Sequence, residues 1–423
     1  MDDRLYLAVR DKVQRLLLAE LSPTANTGDV QMLRLILERI FAEILAEERI
    51  PLSRGERSRT FDEIVADILG YGPIGSLLQD DSITEILVYG PDQVLVERKG
   101  ILEVTSIRFR DYIDVFKVID RIVIPKGVRL SEQQPMHVRL PDGSRLSVDP
   151  LSLVGPSFRL RKVPGRMLTV DDLVLLEALT ADMIGFLRAC VKARMNILVS
   201  GQLSTGKTTL LNALVGFLPE NERIVSVDET VELQFKQDAV VRLESRPPNF
   251  EGRIEVCMWE LVNNALSMRP DRLLDGRMGG GEIWSILEAT NTVYDGLLAP
   301  APSCTPHDAL HRLERKVLIM MGDRDRFQRA KREQIALLFD LIVHLSLLVD
   351  GTRKVVQVVE VLGVEGEHIA MQDIFRYVHT GAGGGQVQGY FTATGVRPKF
   401  MDRIEAAGIS VPAKIFSPAR TGH

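Results

Sequence analysis

Residues 201–208 have the composition and spacing of a loop that binds phosphate groups. They read Gly-Gln-Leu-Ser-Thr-Gly-Lys-Thr, in which four residues separate two glycines, and a lysine and a hydroxyl residue follow. Backbone N–H groups of such a loop and of the next helix point at the phosphates, so Lys207 would reach the outer phosphates and the Thr208 hydroxyl would bind Mg²⁺. The residues expected to bind nucleotide are Gly201, Gln202, Leu203, Ser204, Thr205, Gly206, Lys207, Thr208 and Thr209.

The interior of this loop, residues 202–205, contains no glycine. Glycine reaches positive φ angles without steric cost, whereas the other residues do not. We therefore expect the loop to form, with strain or narrowing at Leu203 and Ser204. The alternative interpretation of the segment is a glycine-containing turn before a helix, with no ligand.

The chain around the loop supplies the strand and the helix that the motif requires. NILVSG is a short apolar strand that ends at the loop, and LLNALVGFL continues as a helix. From about residue 168 onward, apolar strands alternate with helices such as LTADMIGFLRACVKAR, for which Thr180 is the predicted N-cap. This alternation predicts an α/β fold with a parallel sheet and crossover helices.

The segments before and after this α/β region predict the other domains of the protein. Residues 1–72 are predicted to be helical, because apolar side chains recur at helical spacing in QMLRLILERIFAEIL and a Gly-Tyr-Gly-Pro stop signal follows at 70–73. Residues 83–160 predict a small α+β domain with a hairpin turn at 141–143. Residues 379–389 are glycine-rich and expected to be flexible, and RPKFMDRIEAAG is expected to dock as a last short helix. The predicted domains are residues 1–75, 76–165, 166–378 and 379–423.

The composition is typical of a soluble globular protein, since 45% of the 423 residues are hydrophobic and 26% are charged. A net charge of −5 supplies no basic field for nucleic acid. Three widely spaced cysteines (Cys190, Cys257 and Cys304) argue against a disulfide framework and a zinc site, and favour a reducing cytoplasm. The charged N-terminal segment argues against a signal peptide, and no apolar run reaches the ~18–20 residues of a membrane span. We expect a cytoplasmic protein that meets a membrane only through a partner.

Several long motifs along the chain resemble those of a known protein family. In chain order they are RLPDGSR, NILVSG…GKTTLLNAL, VVRLESRPPNFEG, NNALSMRPDR, REQIA…DLIVHL and VQGYFTATGVRPKF. They resemble the traffic ATPases of type II and type IV secretion, and most closely the CpaF-type motors of tight-adherence (Tad) pili. The resemblance implies a RecA-like P-loop core that binds ATP and Mg²⁺, and a hexameric ring that is homomeric or mixed. It also implies a place on the cytoplasmic face of the inner membrane, where domain motion pushes on a membrane platform protein.

The same resemblance identifies candidate catalytic residues. The acidic segment of the family resembles Val-Asp-Glu-Thr-Val-Glu at 227–232, which implies catalytic carboxylates at Asp228 and Glu229. Their order is Asp-Glu where the family usually has Glu-Asp, and the difference of one methylene in reach can displace a water-activating carboxylate. Arg161 resembles the family arginine that contacts nucleotide phosphates from the N-terminal side, and the alternative for Arg161 is a surface charge after a strand.

Residues 273–282 depart from the second catalytic segment of the family, an apolar strand followed by Gly-Glu-x-Arg-Gly-Gly-Glu. Arg277 stands where the catalytic glutamate belongs, and Gly279 stands where the arginine belongs. A guanidinium cannot accept a proton and repels a metal ion, although it can lie against phosphate. Because residues two apart in a strand share a face, Asp275 could face the same site and bind the metal. The alternatives for Asp275 are pairing with Arg277 or solvation.

Residues 294–306 depart from the histidine segment of the family, because Tyr294 and Pro302 replace its two histidines. Pro300 and Pro302 also lack the N–H that a central strand donates, so we expect this strand to be disrupted. His307 and His311 follow in the next helix and are expected to be surface residues. Four arginines in family motifs are expected either at subunit contacts or a neighbouring site, or in ion pairs within the fold: Arg242, Arg246, Arg269 and Arg272.

The residues and the resemblance together support two main hypotheses. The first is an ATP-binding subunit of a Tad pilus or type II secretion system with weak hydrolysis, because losing one catalytic group costs about 10²–10³-fold in rate. The second is a fully active hexameric motor. A purely structural or regulatory partner of an active paralogue is a further alternative. A small-molecule kinase or a DNA-handling protein is disfavoured, because neither a substrate signature nor a basic face is visible.

Overall fold

A computed structural model describes most of the chain. The described residues are 3–20, 30–68, 71–98, 100–123, 136–140, 144–150, 155–162, 168–228, 233–245, 256–276, 278–289, 295–321, 328–383 and 386–418. The chain divides into two compact units, residues 1–165 and 166–423. Each unit has its own hydrophobic cores.

The N-terminal unit begins with three helices, which are α1 (Asp3–Glu20), α2 (Val30–Glu47) and α3 (Arg54–Ile68). Their apolar faces meet in one core, where the rings of Phe41 and Phe61 lie 5.6 Å apart. The helix predicted over QMLRLILERIFAEIL is confirmed, because the recurring apolar side chains of α2 fill this core. α3 ends close to the predicted stop signal, and a single 3₁₀ turn follows over Gly72–Ile74.

An antiparallel sheet follows in the N-terminal unit. Its strands are β1 (Ile83–Tyr89), β2 (Gln93–Arg98), β3 (Ile101–Val104), β4 (Met136–Arg139), β5 (Arg145–Asp149) and β6 (Ser157–Arg161), and the helices beside it are α4 (Gly75–Gln79) and α5 (Tyr112–Val123). The strand order is β3-β2-β1-β6-β5-β4. α5 buries its apolar face in the same core as the sheet. The tip of the predicted hairpin, residues 141–143, lies outside the described residues, but β4 and β5 on either side pair antiparallel as predicted.

The C-terminal unit is a layered α/β structure, as predicted. Its strands are β7 (Ile197–Gly201), β8 (Ile224–Asp228), β9 (Val240–Glu244), β10 (Arg272–Asp275), β11 (Leu297–Pro302), β12 (Leu341–Leu347), β13 (Arg353–Glu365), β14 (His368–Gly383) and β15 (Gln386–Ala393). Its helices are α6 (Val170–Leu175), α7 (Ala181–Lys192), α8 (Lys207–Val215), α9 (Met258–Ser267), α10 (Gly280–Ala289), α11 (Pro306–Met321), α12 (Gln328–Leu338) and α13 (Met401–Ala406). Thr180 caps α7 as predicted, since its hydroxyl accepts a hydrogen bond from Met183 N at 3.2 Å.

One sheet runs through this unit in the order β15-β14-β13-β12-β7-β11-β10-β8-β9. The six strands from β12 to β9 are parallel, which confirms the predicted parallel core. β13, β14 and β15 extend it as antiparallel neighbours, so the complete sheet is mixed. Hydrophobic clusters cover the sheet, and β7 lies among its central strands with every residue buried.

Pro300 and Pro302 lie within β11 without disrupting it, so the predicted disruption is wrong. β11 pairs with β7 through to Pro302 opposite Gly201. Ser303 N donates to Gly201 O at 3.1 Å, so the odd-numbered N–H groups face β7 and the two prolines face the other side. On that side the pairing with β10 ends at Leu298, before the first proline. The N–H groups that Pro300 and Pro302 lack would therefore lie beyond the residues that pair with β10, where no strand in the described part of the chain accepts a hydrogen bond from them.

The glycine-rich segment at 379–389 also differs from the predicted flexible linker. Its described residues belong to β14 and β15, which pair antiparallel from Phe375↔Ala393 to Gly383↔Gln386. At Gly389 a Cβ would lie 2.5 Å from Tyr377 Cζ and 2.5 Å from Val378 O. Glycine at this position makes room for a neighbouring aromatic ring, which is a role for glycine inside a strand.

The residues after β15 dock on the C-terminal unit, as predicted for the last helix. The ring of Phe400 stacks on Phe186 at 6.2 Å, and Arg403 Nη1 lies 2.5 Å from Asp340 Oδ1. The buried Glu360 carboxylate accepts a hydrogen bond from Lys399 N at 2.7 Å. No helix among the described segments is long and apolar enough to cross a membrane.

Candidate functional site

The predicted phosphate loop lies at the carboxyl end of β7, within the parallel part of the sheet. Leu345 on β12 and Pro302 on β11 are the residues opposite Gly201. A side chain cannot fit at Gly201, because a Cβ there would lie 2.6 Å from Leu345 O and 2.7 Å from Thr205 Oγ1. The carboxyl ends of parallel strands are the edge at which open α/β sheets bind ligands.

Positive φ angles shape the loop at Gly201 (152°), Ser204 (61°) and Gly206 (94°). The buried Thr205 hydroxyl donates to Gln202 O at 2.8 Å and closes the turn between them. The expected strain in a loop without interior glycine is therefore confirmed at Ser204. A left-handed non-glycine residue costs roughly 1–2 kcal/mol.

The loop leads directly into α8, whose first residue is Lys207. Gly206 is the N-cap and supplies no side-chain hydrogen bond, and the N–H groups of a first helical turn have no intrahelical acceptor, so they can bind an anion. Lys207 Nζ donates to Gly201 O at 3.0 Å and to Gln202 O at 2.6 Å, and burial lowers the pKa of this ammonium group. Thr208 is half-buried in the same turn. These groups fit the phosphates of a nucleotide and one ligand of Mg²⁺, an ion that would neutralise phosphate charge.

Two buried carboxylates end neighbouring strands at the same edge of the sheet. Asp228 is the last residue of β8, and Asp275 is the last residue of β10. The two strands are parallel, with Asp275 opposite Val227. A Cβ at Gly276 would overlap the Asp228 carboxylate, so the backbone after Asp275 passes directly beside it. Glycine at 276 thus leaves room for the Asp228 carboxylate. Asp275 shares the face of its partner Val227, so its side chain lies on the opposite face of the sheet from that of Asp228.

Four of the residues singled out in the sequence lie outside the described residues: Glu229, Arg246, Arg277 and Tyr294. Arg161 is exposed at the end of β6 in the N-terminal unit, opposite Glu85 and Arg145 on the neighbouring strands. A Cβ at Gly279 would overlap the carboxylate of Glu282, so the side chain of Glu282 lies where one at 279 would begin. The catalytic roles of these residues stay predictions.

His344 is a site residue that the sequence analysis did not single out. It is buried on β12, opposite Ser200, and its Nδ1 lies 2.8 Å from Ser200 Oγ, one residue before the loop. Burial lowers the pKa of His344, the charge of Lys207 lowers it further, and a backbone hydrogen bond with Cys304 and the charge of Asp308 oppose this shift. A lone histidine inside the apolar run DLIVHLSL was the available signal, but its partner follows only from the strand register.

We expect His344→Gln to reduce the loss of stability in mild acid. Because the folded pKa of His344 lies below its ordinary value of 6.5, the unfolded chain binds a proton in a range where the folded chain does not. The contribution is complete above pH 6.5 and is lost as the pH falls toward the folded pKa. Thermal unfolding between about pH 7.5 and about pH 5 should show a smaller decrease in Tm for His344→Gln than for the wild type.

The control for this experiment is His311→Gln, which changes an exposed histidine of α11. It should follow the wild-type pH dependence. A decrease in Tm that is equal in the wild type and in His344→Gln would contradict the expected proton uptake.

A dedicated metal cluster is not found in the described part of the chain, where no group of three or more His, Cys, Asp or Glu side chains could hold an ion. An Mg²⁺ ion at the loop would depend on Thr208 and on the phosphates for most of its ligands, which is how Mg²⁺ is commonly bound with nucleotides.

Comparisons with known proteins identify the family of the chain. Residues 68–343 match the family model described as type II/IV secretion system protein, and residues 6–69 match the N-terminal domain of type II secretion system protein E. A Mycobacterium tuberculosis protein named for conjugal transfer is 30% identical over 317 residues, which cover 71% of this chain and 87% of that protein. The type IV secretion system protein VirB11 of Bartonella quintana is 30% identical over 177 residues, which cover 42% of this chain and 49% of VirB11.

A solved structure supports the fold. The ATPase DotB of Yersinia pseudotuberculosis superimposes with a TM-score of 0.51 at 16% identity, over 69% of this chain and 77% of DotB. At this level of identity the similarity shows the α/β fold alone.

Proposed function

The chain belongs to the type II/IV secretion system protein family, and on this premise we propose that it is an ATP-binding secretion-ATPase subunit with weak hydrolysis. One observation carries the binding part of the proposal: Lys207 and the uncapped start of α8 meet at the carboxyl end of a central parallel strand. This arrangement directs an ammonium group and backbone N–H groups toward one anion. Bound ATP would supply the phosphoanhydride bond whose cleavage drives such proteins.

The proposal of weak hydrolysis rests on two substitutions within the family pattern. Arg277 occupies the position of the glutamate that would orient the attacking water, and a guanidinium cannot accept the proton of that water. Gly279 occupies the position of an arginine that would stabilise transferred charge. Each loss is of a kind that costs about 10²–10³-fold in rate. The chain would then bind nucleotide but hydrolyse it slowly.

We further propose that the subunit acts in assembly of a Tad pilus or in type II secretion, in a homomeric or mixed hexamer. In this arrangement it would lie against a membrane platform protein on the cytoplasmic face of the inner membrane. The motif series from RLPDGSR to VQGYFTATGVRPKF supports this branch of the family. The names of two relatives refer to conjugal transfer and to type IV secretion, which are related transport processes.

A fully active motor is the second candidate, and the structure offers specific support for it. β11 stays paired with β7 through Pro300 and Pro302. Its carboxyl end therefore lies beside Gly201, where an active site at the loop would need it. Asp275 is fully buried at the end of β10, the strand next to the one that ends in Asp228. If Asp275 replaces the missing glutamate as a metal ligand, hydrolysis would be preserved.

Steady-state phosphate release from purified full-length protein separates the two candidates. We expect wild-type turnover below about 1 s⁻¹, the low end for enzymes, and a clear increase for Arg277→Glu because a carboxylate returns to the site. Lys207→Ala sets the background rate. Arg315→Glu is the matched control, since it reverses the charge of an exposed arginine on α11. Wild-type turnover of several per second that Lys207→Ala abolishes would establish the active motor instead.

A further inference from the structure

We propose that Arg353 is a positioning residue that holds the phosphate loop in its binding conformation by fixing the peptide after Ser204. The inference rests on the proposed nucleotide binding at this loop. Arg353 is the first residue of β13 and lies 149 positions from Ser204 in the chain.

The contact joins the guanidinium group to the strained part of the loop. Arg353 Nε donates to Ser204 O at 2.7 Å. The aliphatic part of Arg353 lies over the next turn of the loop, because a Cβ at Gly206 would be 3.5 Å from Arg353 Cδ. Arg353 therefore contacts the loop on both sides of Thr205.

The bond to a carbonyl oxygen determines where the next N–H group points. In a planar trans peptide the C=O of Ser204 and the N–H of Thr205 point in opposite directions. With Ser204 O directed at Arg353, the N–H of Thr205 is directed away from it. A rotation of this peptide would break the hydrogen bond and reverse the direction of the N–H group. Loops of this kind bind phosphate through such N–H groups, so the orientation matters for affinity.

Ser204 makes this support necessary. It is the non-glycine residue of the loop with left-handed backbone, and serine leaves that conformation more readily than glycine does. A loop with glycine at this position would adopt the same backbone without help. Arg353 offsets the conformational cost that serine introduces.

The turn that precedes Arg353, residues 348–352, is stabilised by hydrogen bonds. Leu348 N donates to Thr352 O at 2.8 Å, and the Asp350 carboxylate accepts from Thr352 N at 2.9 Å and from Thr352 Oγ1 at 2.6 Å. The other oxygen of Asp350 accepts from Val387 N on β15 at 2.8 Å. These hydrogen bonds lower the pKa of Asp350 to about 2, so the carboxylate stays ionised at neutral pH. The antiparallel extension of the sheet thus supports the turn that presents Arg353.

A double-mutant cycle with a fluorescent ADP analogue tests the proposal. We expect Arg353→Ala to weaken binding by about 5–30-fold, the equivalent of about 1–2 kcal/mol for a left-handed L-residue. Ser204→Gly should restore affinity in the Arg353→Ala background to within about twofold of Ser204→Gly alone. Arg376→Ala, which removes an exposed arginine of β14, is the matched control and should bind as the wild type does.

Two results would overturn the proposal. If Arg353→Ala binds like the wild type, Arg353 does not position the loop. If Ser204→Gly fails to restore affinity, Arg353 acts by contacting the phosphates or by stabilising the fold, and a change in thermal Tm distinguishes these.

Hydrogen exchange of the loop amides without nucleotide separates this inference from the proposed function. We expect faster exchange at Thr205 in Arg353→Ala than in the wild type, and unchanged exchange would count against the positioning role. If the wild type binds no nucleotide in a Lys207-dependent way, the proposed function fails, and the exchange measurement still decides the role of Arg353.

Discussion

Lys207→Ala is expected to lower the affinity for ADP and ATP by about 100-fold, the largest effect of any change at the loop. Lys207 Nζ lies against the loop, with hydrogen bonds to Gly201 O and Gln202 O, and the side chain is half-buried. When nucleotide binds, the ammonium group can replace its hydrogen bonds to these carbonyl oxygens with hydrogen bonds to charged phosphate oxygens. One hydrogen bond to a charged group contributes about 1.5–3 kcal/mol. Titration of a fluorescent ADP analogue, followed by competition with ATP, measures the loss directly.

Lys192→Ala is the matched control, because Lys192 is an exposed lysine in the last turn of α7. It should leave the affinity unchanged. Circular dichroism of both variants should match the wild type, since the hydrogen bonds of the Lys207 side chain lie within the loop. An affinity that is equal in the wild type and in Lys207→Ala would show that this loop does not bind phosphate.

Glu222→Ala is expected to destabilise the C-terminal unit by about 3–5 kcal/mol, because it leaves a buried charge without its partner. Arg272 is fully buried, and its Nε lies 2.5 Å from Glu222 Oε2. Arg194 Nε lies 2.9 Å from the other oxygen of the same carboxylate. Of the two interpretations of Arg272 in the sequence, the ion pair within the fold is therefore confirmed.

Urea denaturation followed by tryptophan fluorescence measures this effect. Both tryptophans of the chain, Trp259 and Trp284, lie in the C-terminal unit, so the signal reports that unit alone. Glu220→Ala changes an exposed glutamate two residues away and should shift the midpoint little. The double variant Glu222→Leu/Arg272→Met should lose less stability than Glu222→Ala, since apolar replacement removes both charges together. A midpoint for Glu222→Ala close to that of Glu220→Ala would contradict the prediction.

The candidate phosphate loop could be predicted from the sequence because its evidence is local. Gly201, Gly206, Lys207 and Thr208 lie within one short segment, and each follows from the φ angles and donors that a phosphate requires. The same holds for the helices and for the alternation of strands and helices, because hydrophobic periodicity depends only on near neighbours in the chain. The family also followed from motifs that are local in this sense, and the family model matches residues 68–343, which contain most of them.

The partners of these segments were decided by the tertiary structure. Pro302 was expected to disrupt a strand, but only the register with β7 and the end of β10 show that its missing N–H faces no paired strand. Gly389 was expected in a linker, but Tyr377 on the neighbouring strand requires its small size.

Ser204 illustrates the division most clearly. The sequence by itself determined that a loop without interior glycine would be strained, because the φ preference of serine is a property of one residue. Its support comes from Arg353, which only strand pairing brings to the loop. Likewise His344 reaches Ser200, 144 positions away, through the pairing of β12 with β7. Local residue types thus determined the chemistry proposed for the loop, whereas the register of distant strands decided which side chains contact it and its strand.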